Sequence, residues 1–289
     1  RGVSHTAMAS TSTSFRTSGD SATVVEELME FYTKDRFTLQ GLVYFPPVQL
    51  LEDPDVAKHV IVLGGAMGVK CRYYRSFCHF MCHKGFIVVT FDYRGVGLSR
   101  PPSMNRSLEG LQCRMEDWGH FDLSAVLRQS RDRFVLNAPR QRLLFVAHSI
   151  GGQSLGFVTK KALACVDAAA MLCCQHGYYK NWPWIGPRLF AFSLFHIIIP
   201  VTVGLWGYFP SKLAGLGDDY PREVALQGAF WSKHPAMWAR PDQFNAFVPR
   251  FAQLQCPMLC LGFSDDRGLG PKAGVDALAK EFSGCTVEV

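Results

Sequence analysis

The stretch LLFVAHSIGGQ, residues 143–153, carries an apolar run into a serine, Ser149, and then into glycines. Ala147, Ser149 and Gly151 keep a G-x-S-x-G spacing, with alanine in place of the first glycine. Small residues two positions either side of a serine suit a very sharp strand-to-helix turn. Larger side chains there would collide with the neighbouring strand and helix, and the turn lifts the hydroxyl above the sheet. Such a hydroxyl can attack a carbonyl carbon once a base takes its proton. The N–H of Ile150, at the start of the following helix, then holds the developing oxyanion. A second amide is expected from GGAMGVK, residues 64–70, where glycines let backbone approach a ligand. Val69 is the first candidate and Ala66 the reserve. LGFSDDRGLGP, residues 261–271, supplies a carboxylate at the end of a later strand, with Asp266 favoured over Asp265. The plainer alternatives are an ordinary turn serine, a flexible glycine turn and a solvated turn carboxylate.

The elements that must position these groups are legible from periodicity. MEFYTKDRFTLQGLVYFPP, residues 29–47, reads as two antiparallel strands about a polar turn at 34–36. HVIVLGG, FIVVTF, LLFVAHS, CVDAAAMLCC and QCPMLCLGF read as apolar strands alternating with helices. That pattern indicates an α/β fold: a mostly parallel sheet covered by helices on both faces. Gly151 to Leu163 reads as one helix, and Pro271 to Phe282 as another. Residues 177–253 differ in texture, being rich in Trp, Phe, Tyr and Pro, and read as a helical lid insertion. Within it Leu189–Tyr208 carries no formal charge. Pro200, His196 and two glycines make a buried pair of cap helices the first reading of that segment. A lipid-facing lid is the second and a true membrane span the third.

Composition narrows the function classes. A net charge of +6 comes from scattered basic residues, and the loose cluster Arg128, Arg131, Arg133, Arg140 and Arg142 reads as a solvated helix face, so no nucleic-acid partner is expected. The ten cysteines form no C-x-x-C, and Cys165, Cys173, Cys174 and Cys260 sit in apolar runs. They read as buried free thiols of an intracellular compartment. Cys78 with Cys82 and His79 with His83 share i,i+4 spacing, but no second pair at zinc spacing accompanies them, so no metal is expected. Residues 1–24 read as a disordered polar tail without a secretory leader.

FDYRGVGLSRP, DWGHFDLSAVL, VAHSIGGQ, WGYFPSKLAGLGDDYPREVA and GFSDDRGLGP together resemble the α/β-hydrolase superfamily over roughly residues 25–289. The nearest likeness is to a branch related to serine aminopeptidases and monoglyceride lipases. The resemblance implies an ester, thioester or amide substrate, no cofactor, and a Ser–Asp–His triad in that chain order. It gives Asp92 and Arg94 a bracing role. The aromatic lid suggests a substrate with an acyl chain. The last histidine, His234, precedes Asp266. His148 points away from its neighbour serine, while His176, His196 and His234 are weak substitutes. The ending GCTVEV reads as the start of a strand, so the expectation is that a catalytic histidine follows beyond Val289 and that this chain is a fragment of low activity.

Overall fold

The computed structural model describes residues 23–137, 140–236, 246–266 and 268–288. Most of the polar tail expected over residues 1–24 therefore lies outside the described residues. One eight-stranded sheet organises the rest, in the order β1-β2-β4-β3-β5-β6-β7-β8. β1 (Val25–Tyr32) and β2 (Thr38–Phe45) form the expected hairpin, with Arg36 in the left-handed region at its turn. β2 runs antiparallel to β4 (Ile87–Phe91), and every later pairing is parallel. β3 (Val60–Gly64) and β4 are buried at every residue, which explains why neither alternates polar and apolar side chains.

The chain passes from β3 to β4 on one side and then returns to place β5 (Leu143–His148) on the other side of β3. In open parallel sheets, a ligand crevice forms outside the carboxyl ends of the strands at such a reversal. The glycine loop after β3 and Ser149 after β5 both stand there. β6 (Ala168–Leu172), β7 (Pro257–Leu261) and β8 (Thr286–Glu288) extend the sheet away from the reversal. The helix Arg75–Cys82 covers one face through Cys78 and Cys82. Ser124–Phe134 covers the other face through Val126, Leu127 and Phe134.

Four sequence expectations need correction. At β7 burial alternates, and Leu259 and Leu261 are exposed, so the sheet is not covered on both faces there. The helix expected from Gly151 to Leu163 is two short ones, Ile150–Leu155 and Lys160–Leu163. Gly156 lies between them, where a Cβ would come within 2.1 Å of the Phe251 ring, so close packing on Phe251 displaces the chain. The apolar lid segment is one helical run, Ile185–Trp206, rather than a pair of buried helices, and only 17% of its most apolar window is buried. A π-turn at Leu194–Ile198 precedes Pro200 and absorbs its missing N–H. Cys165 and Cys173 are partly exposed, unlike Cys174 and Cys260, although all ten cysteines are free thiols.

Buried carboxylates tie the loops together. Asp92 accepts the N–H groups of Cys71 (2.6 Å) and Leu98 (2.8 Å). The Arg94 guanidinium bridges Asp122 (2.7 Å) and Asp35 (2.6 Å). Asp218 in the lid accepts the Gly97 N–H (2.7 Å), donates its own N–H to Gly68 O (2.8 Å) and pairs with Lys212 (3.1 Å). Its neighbour Asp219 pairs with buried Arg100 at 3.2 Å. Removing one partner of a buried pair strands the other charge. Asp122→Ala is therefore expected to lower the unfolding free energy by about 3–5 kcal/mol, read from the urea midpoint.

Candidate active site

β5 delivers Ser149 to the carboxyl edge of the sheet. Its backbone sits at φ +53°, ψ −114°, a region that residues with a side chain rarely occupy. The Ser149 N–H donates to Leu172 O at the end of β6 (3.1 Å), and Gly152 N–H donates back to Ser149 O (3.2 Å). A Cβ on Gly151 would lie 2.3 Å from Gly64 O of β3, and one on Gly152 would lie 2.6 Å from Cys174 Cβ. Both glycines are therefore steric requirements of the bend. Ala147 is fully buried and pairs in register with Gly64 and Met171, so the methyl that replaces the first glycine stands opposite a residue of β3 that has no side chain.

The sheet edge brings Asp266 to the same place. Its Oδ1 accepts the N–H groups of Leu269 (2.9 Å) and Gly268 (3.3 Å), which fixes the carboxylate in its turn. A Cβ on Gly270 would lie 2.8 Å from Asp266 Oδ2 and 3.2 Å from Cys173 Cβ. Cys173 directly follows Leu172, the residue that holds the Ser149 amide. Asp265 is exposed and Asp266 half-buried. Burial, and then the nearby Asp266 carboxylate, push the Cys173 thiol up. Sequence reading missed this neighbour, whose backbone is left-handed at φ +50°.

On the other side of Ser149 the structure gathers Tyr74, His148 and Ala66. The Tyr74 hydroxyl lies 2.9 Å from His148 Nδ1 and accepts the Ala66 N–H at 2.8 Å. Burial lowers the His148 pKa, opposed by the Asp266 carboxylate. A neutral ring leaves Nδ1 free to accept the Tyr74 proton. The Val69 N–H donates to Ala66 O at 3.1 Å, closing the turn at Gly68. Of the two expected loop donors, Val69 is thus committed to loop backbone and Ala66 to a side-chain hydroxyl. Ile150 is buried at the start of the six-residue helix that follows Ser149.

No described side chain, a histidine's included, is hydrogen-bonded to the Ser149 hydroxyl, and His148 is engaged with Tyr74 instead. His196 bonds Phe192 O (3.0 Å) and stacks on Phe192 in the lid, while His234 packs on Phe230. His176 is buried, with its N–H on Gly274 O (2.8 Å). Among the described residues no group of His, Cys, Asp and Glu could hold a metal. His79 binds Glu26 at 2.6 Å, while Cys78 and Cys82 face the core. A cleft of about 380 Å³, lined by Lys70, Arg72, Arg100, Lys212, Asp92 and Asp218 among others, lies beside the lid and does not include Ser149.

The chain belongs to the alpha/beta hydrolase family, whose sequence model matches residues 60–289. No curated protein sequence matches it. Solved structures with a similar fold include a thermostable carboxyl esterase from Bacillus coagulans in complex with glycerol. It is 11% identical, with 91% of this chain and 89% of that chain covered and a TM-score of 0.59. An acetyl xylan esterase from a Paenibacillus strain is 12% identical, covers 96% of this chain and 80% of its own, and gives 0.54. A lipase in its open form is 15% identical over 91% and 89%, at 0.52. At such identities the likeness carries the fold alone.

Burial holds His176 down at about 4, so its ring is neutral in the folded chain near neutral pH. The unfolded ring takes a proton near about 6.5, so the stabilisation is complete above that value and is lost as pH falls towards 4. Urea titrations across this window are expected to lose about 3 kcal/mol more for the parent chain than for His176→Asn.

Proposed function

We propose that the protein is a serine hydrolase that cleaves a carboxylic ester, thioester or amide through an acyl-enzyme on Ser149. The observation that carries this reading is the Ser149 backbone, held at φ +53° by β3 and β6 at the carboxyl edge of the sheet. A strained conformation that three strands hold in place fits a reactive hydroxyl better than a passive turn. Ser149 attacks the carbonyl carbon, and the Ile150 amide receives the oxyanion. A second donor must come from the loop after β3. Ala66 suits this role better than Val69, because a ligand oxygen can displace the Tyr74 hydroxyl but not the loop's own carbonyl. Asp266 is the carboxylate that would orient a histidine base.

Membership of the alpha/beta hydrolase family and the apolar lid support a small-molecule acyl substrate with a hydrophobic group. On this reading the α/β-hydrolase domain covers residues 25–289, with the lid inserted over about residues 177–253. With no histidine hydrogen-bonded to the Ser149 hydroxyl among the described residues, turnover by residues 1–289 is expected to lie about 10⁴-fold or more below that of an intact triad. That same observation favours a second reading, a hydrolase-fold protein that binds a small apolar ligand without cleaving it.

A fluorophosphonate probe separates the two. Labelling that disappears in Ser149→Ala, with the circular dichroism spectrum preserved, is the expected result. Well-folded parent protein that stays unlabelled after prolonged incubation would favour the binding reading instead.

A further inference from the structure

A helix on the surface of a soluble domain normally turns a polar face to water. The lid helix Ile185–Trp206 does not: it is 22 residues long, and its most apolar 18-residue window has a mean hydropathy of 2.0. Its inner stripe, Ala191, Ile199 and Val203, is buried on the domain. Its outer side chains Ile185, Leu189, Phe190, Ile197, Val201 and Leu205 are 54–72% exposed. At 1.5 Å per residue the helix is about 33 Å long, and a tryptophan stands at each end, Trp184 and Trp206, each 46% exposed. Tryptophan favours the boundary between lipid chains and headgroups.

Charge around the helix points the same way. From Ala168 to Gly217 the chain carries Lys180, Arg188 and Lys212 and no Asp or Glu, and Lys212 is already paired with Asp218, which leaves Lys180 and Arg188 at the start of the helix with no carboxylate partner among the described residues. A second copy docked on this face in a twofold contact would bring the same cations to the interface with no carboxylate from this segment to meet them. An anionic headgroup layer supplies the missing counter-charge. The helix is also fixed at both ends. Trp182 Nε1 donates to Gly268 O (2.7 Å) and Arg188 Nε to Trp182 O (2.8 Å). At the far end Arg222 reaches Val203 O (3.4 Å), and Gly207 turns the chain back at φ +74°. A helix tethered this way lies along a surface instead of crossing it.

We propose that the outer face of Ile185–Trp206 docks on an anionic phospholipid bilayer, lying flat with its apolar side chains among the lipid chains and Lys180 and Arg188 at the headgroups. The domain takes the place of the polar face that an interfacial helix otherwise needs.

Flotation of the full chain with vesicles tests this. The chain is expected to float with phosphatidylcholine vesicles that contain phosphatidylglycerol, less with pure phosphatidylcholine, and less again at high salt. Phe190→Glu/Val201→Glu, on exposed positions, should reduce flotation at least about tenfold with an unchanged circular dichroism spectrum. Should that pair misfold, Leu205→Glu at the helix end serves in its place. A parent chain that stays unbound to both vesicle types overturns the proposal, including the case where it is a dimer that the charged variants dissociate. Undiminished flotation by a folded charged variant overturns it too.

Discussion

The backbone of one residue sets the conditions for the rest. A serine at φ +53°, ψ −114° is strained by about 1–3 kcal/mol and persists only where its surroundings leave no alternative. Those surroundings come from three strands. β6 accepts the Ser149 amide through Leu172, β3 presses Gly64 O against Gly151, and β5 brings in Ala147 between them. None of these contacts forms unless β5 pairs beside β3 and β6 beside β5, so the order of the sheet and the reactive bend are one constraint.

Around that bend the electrostatics divide into two sides. Towards β7 stands the Asp266 carboxylate, fixed by backbone amides and facing Cys173. Towards β3 stands the Tyr74 hydroxyl, which satisfies Ala66 N–H and meets His148 Nδ1. The Tyr74 oxygen occupies the Ala66 amide, so a buried donor stays paired.

Much of this was legible in the residues, for steric reasons. Gly151 must lack a side chain because β3 passes so close, and that requirement shows as spacing around Ser149. Apolar strands alternating with helices likewise announce a parallel sheet, and the likeness spread over residues 25–289 supplied the fold. What could not be read depends on distant partners. Tyr74 meets Ala66 and His148 only after β3 and β5 pair. The Val69 amide looked available until Gly68 folded it back onto Ala66 O. Hydropathy marked the lid segment as apolar but says nothing of burial, so the exposure of Ile185–Trp206 lay beyond it. Pro200 looked like a break because the π-turn that absorbs it leaves no sequence mark.

Asp218 and Asp219 give the lid an unequal grip on the body. Through Gly68, Gly97 and Arg100 they rivet its far end to the loops after β3 and β4. A lid riveted there cannot lift off as a single flap. At the other end the Trp182 Nε1–H bond to Gly268 O (2.7 Å) holds the lid to the loop after β7, so both flanks of the lid are anchored to the ends of the sheet strands.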